Sequence, residues 1–393
     1  MYSLVASAIN HPDAVTPYVG LFNHRIIRAL SETSVDLEAV SPRPFAPPVG
    51  PYSAYASLPD TEKWDGYTVH HPRFWYLLPK RLLYALSGDS YARRVPAYLE
   101  RTLDPPDVVH ACHIYPDGYG MLPYARDHDL PLFVVAHGTL LNDFDDHAPG
   151  VATRIRRTLE AAEGVLCVSD ALAERARSLT DDSKVRTVPI GADPKKFSTD
   201  DRTDIWKDLG ISPDESLVLF VGEFSERKGI PELTTLLSAR AYPDATFAFV
   251  GRGGALEADL RRSVGDWTEN NGCVEAGVPS DRLQEWFVAA DLLVLPSHAE
   301  GRPTVIYEAM ASETAVLATD VGGVPEQVVD GETGRLVPPG DVEALGDALA
   351  ALTGDPDRLR AMGEAGRARL EARNWTWEGH ARRIRKLHRE AIR

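Results

Sequence analysis

Two glutamates eight positions apart, Glu300 and Glu308, lie where the sequence predicts the end of a buried strand and the start of a helix. The apolar run LLVL predicts the strand, and Pro303 near the first position of the helix costs no hydrogen bond. The N–H groups of Thr304 and Val305 then point out of the helix start, where they and the helix dipole favour an anion. Isolated glutamates are usually solvated acids, but open parallel sheets bind ligands at the carboxyl ends of their strands. This arrangement predicts a site for a phosphorylated sugar, with N–H groups on the phosphate and carboxylates on the hydroxyls.

A second set of candidate residues lies in FVGEFSERKGIPEL, where a predicted strand ends at Gly222 and a loop runs to Gly229. Arg227 and Lys228 lie in this loop, at the carboxyl end of the strand. Two adjacent cations there suit a diphosphate, which an arginine can bind through two parallel hydrogen bonds. An isolated Arg-Lys pair is more often an ordinary surface feature, so the assignment depends on its position in the predicted fold.

Histidines are the candidate residues of the first half of the chain. His137 follows the apolar strand LPLFVVA, although a lone histidine at a strand end is more often structural than functional. His110, Cys112 and His113 are too close along one predicted strand to bind one metal, because alternate residues face opposite sides. The triplet Asp143-Phe144-Asp145 is interpreted as solvated or loop-structuring. The sequence therefore predicts no metal site.

Strand-like and helix-like segments alternate in both halves, which predicts crossover units and parallel sheets buried on both faces. The stretch MYSLVASAI is interpreted as a first strand and not as a signal peptide, because no basic residue precedes it. The other predicted strands are Val35–Val40, Val108–Ala111, Leu132–Ala136, Val165–Val168, Val185–Val188, Leu217–Val221, Thr246–Val250, Leu292–Leu295 and Ala315–Ala318. Two doubly wound α/β domains are the simplest arrangement of these elements.

The sequence predicts an N-terminal domain over 1–190, a linker over 191–213, a C-terminal domain over 214–372 and a C-terminal helix over 373–393. The linker is rich in Pro, Asp, Lys and Ser and has weak periodicity. The Pro-rich segment Pro42–Asp65 is predicted to form a long irregular surface loop. The basic tail RRIRKLHREAIR is expected to pack back on the N-terminal domain, with contact to an anionic membrane surface as the alternative.

The composition excludes several classes of protein. The 393 residues include 58 acidic and 42 basic ones, for a formal net charge of −16, which argues against a nucleic-acid partner. Three cysteines argue against a disulfide framework and suit a reducing compartment. No run of about 18 apolar residues is present, so no membrane span is expected. The acidic excess, with 8 Lys against 34 Arg, leads to the hypothesis of a high-salt cytoplasm.

The stretch from 292 to 341 resembles the retaining glycosyltransferases of family four, which have the GT-B fold. The hallmark of the family is a glutamate, seven residues and a second glutamate, followed by a small-residue helix and a Gly-Gly turn. Here these are Glu300 and Glu308, the segment AMAS at 309–312, and Gly322 with Gly323. The resemblance implies that Glu308 holds the ribose diol of a nucleotide and that Glu300 contacts hydroxyls of the donor sugar near the reacting face.

The same resemblance extends to the loop that carries the two cations. The family has a Gly-Arg at the strand end and a Lys-Gly six residues on, and Lys228 with Gly229 matches the second pair. Glu223 stands where the family usually has arginine, and Arg227 would supply the missing cation. The segment Gly277-Val278-Pro279 resembles the family's turn whose backbone contacts the base, which makes Val278 and Pro279 the expected base-binding residues.

In the first half the resemblance implies a role for four residues. It places His137 beside the donor sugar, and it places His113 and Tyr115, from DVVHACHIYPDG, near the acceptor. Gly20 resembles a glycine of the family's opening loop, which is associated with the acceptor and the phosphates.

The family resemblance implies two Rossmann-like doubly wound domains that face a cleft, the GT-B arrangement. The implied reaction moves a sugar, with retention, from a nucleotide-diphosphate sugar to a hydroxyl of a glycan or lipid-linked acceptor, in the cytoplasm or at the inner membrane face. No cofactor and no metal is expected if the cations and the helix start neutralise the leaving diphosphate. A nucleotide-sugar epimerase of the same architecture and a non-catalytic nucleotide-sugar-binding protein are the alternatives.

Overall fold

The structure is a computed structural model, and it describes residues 1–13, 15–16, 19–45, 53–76, 80–197, 199, 202–211, 215–239, 242, 245–267 and 272–392. The chain forms two compact units. The first comprises Met1–Pro189 together with Trp377–Arg393, and the second comprises Ile190–Thr376.

An eight-stranded sheet forms the centre of the first unit, with the strand order β10-β9-β8-β7-β1-β2-β5-β4. Its neighbouring strands are parallel except for the antiparallel pair of β4 and β5 at one edge. The strands of this unit are β1 (Tyr2–Ser7), β2 (Val35–Val40), β3 (Arg43–Pro44), β4 (Thr61–Trp64), β5 (Tyr67–His70), β6 (Arg73–Phe74), β7 (Val108–Ala111), β8 (Leu132–Ala136), β9 (Gly164–Cys167) and β10 (Val185–Thr187). The central strands are apolar runs with both faces buried, as parallel sheets require.

Helices cover this sheet. They are α1 (Leu21–Ser31), α2 (Ser53–Ala56), α3 (Lys80–Thr102), α4 (Tyr119–Asp127), α5 (Thr139–Asn142), α6 (Pro149–Ala161) and α7 (Asp170–Arg177). The amphipathic helix α1 buries Ile26, Ile27 and Leu30 and exposes Arg28.

The segment Pro42–Asp65 is more regular than the sequence predicts. It includes β3, the short helix α2 and β4, and residues 46–52 lie outside the described part of the chain. The strand β4 pairs with β5 in an antiparallel hairpin across Gly66, whose φ is 90°. The alternation of exposed and half-buried residues in β4 fits an edge strand, but four residues are too few for the pattern to be recognised.

The second unit is built on a six-stranded parallel sheet with the order β13-β12-β11-β14-β15-β16. Its elements are α8 (Arg202–Leu209), β11 (Ser216–Glu223), α9 (Ile230–Ala239), β12 (Ala245–Arg252), α10 (Glu257–Trp267), β13 (Gly272–Ala276), α11 (Ser280–Ala289), β14 (Leu292–Leu295), α12 (Thr304–Ala311), β15 (Ala315–Thr319), α13 (Val324–Gln327), β16 (Gly334–Val337), α14 (Val342–Thr353) and α15 (Pro356–Ala372). One core cluster joins the sheet to α9, α10 and α14 and includes Phe220, Phe247 and Leu349. The edge strands β13 and β16 were not among the predicted strands because neither is an uninterrupted apolar run.

Residues 191–213, predicted as a linker, belong to the second unit. Within them, α8 lies against the end of α11. The indole of Trp206 donates a hydrogen bond to Ala289 O at 2.8 Å, and Arg202 pairs with Asp291 at 2.5 Å. The weak periodicity of this segment conceals a short helix that is held by such polar contacts rather than by an apolar stripe.

The last helix, α16 (Trp377–Ala391), belongs to the first unit. Its buried face contains Trp377, Ile384 and His388, and the His388 ring accepts or donates a 3.0 Å hydrogen bond with the Tyr2 hydroxyl. Its exposed face contains Arg382, Lys386 and Arg389.

Both sheets have a switch point, where the strand order reverses and the loops on either side diverge. In the second unit it lies between β11 and β14, and in the first unit between β1 and β7. Open α/β sheets bind ligands at the carboxyl ends of the strands at this position. The loops that follow these four strands are therefore the places to look for functional side chains.

Candidate active site

In the second unit, the loops after β11 and β14 meet through an ion pair at the switch point. Lys228 Nζ lies 2.5 Å from Glu300 Oε1, and the two side chains are only 15% and 7% exposed. These residues are 72 positions apart in the chain. The structure thus brings together the two groups that the sequence assigned to the diphosphate and the donor sugar.

Two hydrogen bonds connect these two loops. His298 N donates to Arg227 O at 2.9 Å, and Arg227 Nη1 donates to Ala299 O at 3.1 Å. Arg227 is exposed, and this contact uses one of its five N–H donors. The loop that carries Arg227 and Lys228 is therefore joined to the loop that carries Glu300 by these bonds as well as by the ion pair.

A third loop, after β15, supports the backbone at Glu300. Gly322 has φ +52°, and a Cβ there would lie 1.9 Å from Glu300 O. Gly323 N donates to Gly301 O at 3.0 Å. Glycine at 322 is therefore a packing requirement, because no side chain fits between this residue and the loop that carries Glu300.

The helix α12 begins directly after the loop that carries Glu300. Pro303 is its N-cap rather than its first residue, and Thr304 and Val305 form its half-buried first turn. Their N–H groups have no acceptor within the helix, so this end carries a partial positive charge. Glu308 lies buried on the same helix, about one turn further on.

Arg302 is a residue of this loop that the sequence analysis missed. Its guanidinium is buried, donates to the Tyr307 hydroxyl and to the Glu326 carboxylate, and lies 5.0 Å from the centre of the Trp375 ring. An arginine directly before the N-cap proline was the available signal. Its partners lie up to 73 positions away and could not be inferred locally.

The predicted base-binding turn follows β13. Val278 is half-buried, and Pro279 is exposed and forms the N-cap of α11. Gly277 N donates to Gly251 O at 2.7 Å, which ties this turn to the glycine-rich turn after β12. Glu223 is exposed at the end of β11, opposite Arg252 in the register with β12.

In the first unit, His113 and His137 lie at the carboxyl ends of β7 and β8. Their ring centres are 5.5 Å apart, and Phe22 of α1 lies 4.5 Å from His137 and 6.0 Å from His113. His113 Nδ1 lies 2.7 Å from Asp117 Oδ2, and His137 Nε2 lies 2.9 Å from the Cys112 carbonyl oxygen. The two predicted histidines are therefore neighbours in one aromatic cluster.

The environment of His137 determines its protonation. Desolvation, together with the nearby His113, lowers the pKa of His137 well below its usual value, so the ring is neutral at pH 7. Because the Cys112 carbonyl can only accept, Nε2 of His137 carries the proton and Nδ1 is left with its lone pair.

Gly20 and Tyr115 have structural roles that the sequence does not specify. Gly20 has φ +78°, and a Cβ there would lie 2.1 Å from Asn10 O, so the loop after β1 packs directly against the start of α1. Tyr115 is buried, and its hydroxyl donates to the Tyr84 carbonyl oxygen at 2.6 Å. Its ring lies 5.0 Å from that of Tyr84 and 5.8 Å from that of Tyr119.

The acidic triplet at 143–145 lies apart from these groups. Asp145 pairs with Arg175, and Phe144 is buried with its ring 5.7 Å from the same guanidinium. Within the described residues, no group of three or more His, Cys, Asp or Glu side chains could hold a metal ion. No helix in the same part of the chain is long and apolar enough to cross a membrane.

Two Rossmann-like units of this kind are the domains of which the GT-B fold consists. The chain belongs to glycosyltransferase family 4: the family model for Glycosyl transferases group 1 matches residues 201–369, and that for Glycosyltransferase Family 4 matches residues 19–196. The motifs in the second unit predicted this family correctly.

The relatives agree with this family. The chain is 30% identical over 348 residues to TuaC of Bacillus subtilis, a glycosyltransferase whose name places it in teichuronic acid biosynthesis, with 86% of each chain covered. It is 33% identical over 307 residues to the D-inositol 3-phosphate glycosyltransferase of Nocardia farcinica, covering 73% of this chain and 65% of the relative.

Solved structures share the fold. Sucrose-phosphate synthase from Thermosynechococcus elongatus superimposes with a TM-score of 0.80 at 22% identity, covering 99% of both chains. Anabaena HepE, solved in complex with UDP and glucose, superimposes with a TM-score of 0.73 at 18% identity, covering 98% of this chain and 99% of that one. The protein is therefore a glycosyltransferase with the GT-B fold.

Proposed function

We propose that the second unit binds a nucleotide-diphosphate sugar, that the first unit binds a hydroxyl acceptor, and that the sugar is transferred with retention at the anomeric carbon. The observation that supports the donor site best is the buried pair of Lys228 and Glu300 at the switch point of the second sheet. Retention and the division of roles between the units rest on the resemblance to the family.

The cations of the donor site would stabilise the leaving group. Negative charge builds on the diphosphate as the glycosidic bond breaks, and Arg227, Lys228 and the first N–H groups of α12 at Thr304 and Val305 would offset it. These donors are fixed by the fold before the reaction, so little reorganisation accompanies the chemical step. No metal ion or cofactor is required if these groups neutralise the diphosphate.

The carboxylates would orient the donor through its hydroxyls. Lys228 fixes one oxygen of Glu300 and leaves the carboxylate able to accept from hydroxyls of the donor sugar. Glu308 would accept from the ribose diol. Val278 and Pro279 would contact the base mainly through the backbone, which leaves little trace in the sequence of which base is bound.

His137 would act near the donor sugar as a neutral imidazole. A neutral ring can donate from one nitrogen and accept at the other, so it can orient hydroxyls without adding charge. His113 and the loop fixed by Gly20 would contact the acceptor. The family resemblance also assigns Tyr115 to the acceptor side, and its buried hydroxyl donates to the Tyr84 carbonyl oxygen.

The names of the relatives guide the choice of acceptor. One relative is named for teichuronic acid biosynthesis and another for D-inositol 3-phosphate. We propose a glycan or lipid-linked glycan acceptor, and a reaction in the cytoplasm or at the inner membrane face. The three free cysteines suit a reducing compartment.

A thermal-shift panel of UDP, GDP, ADP and dTDP at molar KCl, each with and without EDTA, tests the donor site. Stabilisation by one nucleotide that EDTA leaves unchanged supports a metal-independent site and names the base. A nucleotide that stabilises only without EDTA would contradict metal independence. The absence of any shift would remove the basis for the diphosphate site.

The exposed face of α16 supports a second proposal, contact with an anionic membrane surface. Arg382, Arg385, Lys386 and Arg389 lie together on this face beside Glu390, in a chain with a net charge of −16. Because the apolar face of α16 packs within the first unit, the basic face is available while the helix stays folded. Each such cation is worth about 1 kcal/mol near an anionic lipid surface.

Sedimentation with vesicles tests this contact. Replacing Arg382, Lys386 and Arg389 by Gln should weaken binding to phosphatidylglycerol vesicles by about 100-fold at 0.1 M salt, while neutral phosphatidylcholine binds neither protein. The matched control replaces Arg126, Arg262 and Arg360, three exposed arginines outside α16. Equal losses of vesicle binding in the two triple variants would show that binding depends on net charge and not on α16.

A further inference from the structure

Asp117 is a buried carboxylate that the proposed mechanism does not use. It lies in the turn between β7 and α4, and its side chain is 0% exposed. Three donors converge on it: His113 Nδ1 at 2.7 Å from Oδ2, Ile9 N at 2.8 Å from Oδ1, and the Tyr91 hydroxyl at 3.1 Å from Oδ1. The Tyr91 hydroxyl is itself 2.5 Å from Ser7 Oγ. A buried charge is tolerated only when it is paired and hydrogen-bonded in this way.

This network joins the two loops that flank the switch point of the first sheet. Ile9 follows β1, and His113 follows β7. The carboxylate therefore fixes the position of the loop after β1 relative to the ring of His113. The two carboxylate oxygens have different partners. Oδ1 accepts hydrogen bonds from Ile9 N and the Tyr91 hydroxyl, and Oδ2 accepts from His113 Nδ1.

The same contact sets the tautomer of the ring. An ionised carboxylate only accepts hydrogen bonds, so Nδ1 of His113 carries a proton, and in the neutral ring Nε2 has the lone pair. His137, whose proton is on Nε2, has the opposite tautomer. The two adjacent rings thus offer acceptor nitrogens of different kinds, Nε2 on one ring and Nδ1 on the other.

We propose that Asp117 is a positioning residue for sugar transfer, which acts through His113 by holding Nε2 as an acceptor for a hydroxyl of the acceptor substrate. The proposal rests on the proposed acceptor role of His113. It does not rest on the residues proposed to bind the diphosphate, the ribose and the base of the donor, which all lie in the second unit.

The variant Asp117→Asn keeps the shape of the side chain but removes its negative charge. An asparagine has one acceptor oxygen, and placing it toward Ile9 N and Tyr91 satisfies two donors. The amide NH₂ then faces His113 Nδ1, where only a lone pair can receive it, so the ring must move its proton to Nε2. The fold keeps its shape, but the acceptor nitrogen becomes a donor, as occurs when the aspartate of a Ser-His-Asp triad is replaced by asparagine.

Nitrogen-15 NMR of the histidine-labelled full chain at pH 7.5 tests the tautomer directly. The signals of His113 are assigned by their loss in His113→Gln. We expect Nδ1 to be protonated in the wild type and Nε2 in Asp117→Asn. Tyr91→Phe is the matched control, because it removes a different hydrogen bond to the same carboxylate and should leave the wild-type tautomer. A wild-type ring protonated at Nε2, or an unchanged tautomer in Asp117→Asn, would overturn the proposal.

A double-mutant cycle tests the link to function, with the donor chosen by the nucleotide panel and D-inositol 3-phosphate as the acceptor probe. Asp117→Asn should lower kcat/KM for the acceptor by about tenfold or more, leave the Kd of the nucleotide unchanged, and cost nothing further in a His113→Ala background. Equal losses in both backgrounds would show that Asp117 acts through the fold alone. If the wild type does not use this probe, D-inositol 3-phosphate is excluded as an acceptor, and the nitrogen spectra decide the role of Asp117.

Discussion

The site in the second unit is built from full charges, whereas the cluster in the first unit is built from neutral rings. At the switch point of the second sheet, an ammonium group pairs with a carboxylate beside a helix start. At that of the first sheet, imidazoles bond to a carbonyl and to a single buried carboxylate. A diphosphate needs positive charge, while hydroxyl groups need oriented donors and acceptors. The same position in two related sheets thus carries different chemistry according to the ligand proposed for each.

The distribution of histidine makes this contrast sharper. Eleven of the twelve histidines lie in the first unit, and His298 lies in the second. Several of the eleven are buried and hydrogen-bonded to neutral partners, as in the chain from Tyr2 through His388 to His110. Neutral imidazole therefore contributes to the stability of one unit and hardly to that of the other.

The largest effect we expect from this contrast is an acid sensitivity confined to the first unit. Desolvation lowers the pKa of His11 and His388 to about 3 and that of His380 to about 4, and it holds the pKa values of His110 and His137 well below 6.5. A folded pKa below the unfolded one means that the stabilisation is complete above pH 6.5 and is lost as the pH falls toward 4. Each such histidine costs about 1.4 kcal/mol of unfolding free energy per pH unit in that range.

Hydrogen exchange by mass spectrometry, corrected for intrinsic rates, measures this loss at pH 7 and pH 5. Protection of β1, β7 and α16 should fall before that of β11 and β14. The control His298→Gln should leave both profiles unchanged, since that ring is exposed. Simultaneous loss of protection in the two units would contradict the contrast.

The next largest effect concerns the charged site. Lys228→Met should lower transfer by about 100- to 1,000-fold, because it removes a cation from the leaving diphosphate. It should also lower the unfolding free energy by about 3 kcal/mol, because Glu300 is left buried without its partner. Adding Glu300→Gln should restore the stability but not the activity.

Urea unfolding and a transfer assay separate these two consequences of Lys228→Met. Lys207→Ala is the matched control, since Lys207 is an exposed lysine of the same unit that pairs with Asp204. Normal transfer in Lys228→Met would exclude this lysine from the diphosphate site. Recovery of activity in the double variant would show that the loss was one of folding.

A smaller effect is expected from the backbone that supports Glu300. Gly322→Ala should lower the unfolding free energy by about 3 kcal/mol and weaken binding of the nucleoside diphosphate selected by the thermal-shift panel, because its Cβ meets Glu300 O at 1.9 Å. Gly331→Ala is the matched control, with φ +80° but open space around the Cβ, and should cost about 1 kcal/mol. Isothermal calorimetry with that nucleotide measures the affinity, and urea unfolding measures the stability. If both variants lose the same unfolding free energy, the loss comes from the positive φ alone and not from the contact between the Cβ and Glu300 O.

The sequence predicts the central strands of both units, for a physical reason. The predicted bounds of Val108–Ala111, Leu132–Ala136 and Leu292–Leu295 match the structure, because apolar runs between turn residues are local signals. Lys228 and Glu300 could be assigned to the same edge of the sheet because each follows a parallel strand. Residue type and position after a strand were sufficient for this assignment, and no distant contact had to be known.

The partners of the first unit could not be predicted in this way. Asp117 bonds to Ile9 across 108 positions, and His110 bonds to His388 across 278. Hydrogen bonds between such distant residues depend on the completed packing and leave no periodic pattern. The same limit applies to the helix α8, which is held by Arg202 and Trp206 through contacts with α11 and the residues that follow it.

The smallest effect concerns Glu223, where this chain departs from its family within the charged site. An exposed carboxylate at the end of β11 lies at the sheet edge that would receive a diphosphate, and it opposes binding through a screened repulsion. Glu223→Arg should therefore tighten the nucleoside diphosphate selected by the thermal-shift panel by about fivefold, or about 1 kcal/mol, and the gain should shrink as KCl is raised. Glu226→Arg changes the net charge equally from the next turn of the same loop and should change the affinity less. If the two variants tighten this nucleotide equally, the gain comes from the overall field, and Glu223 is not the position at which the family's arginine contacts the diphosphate.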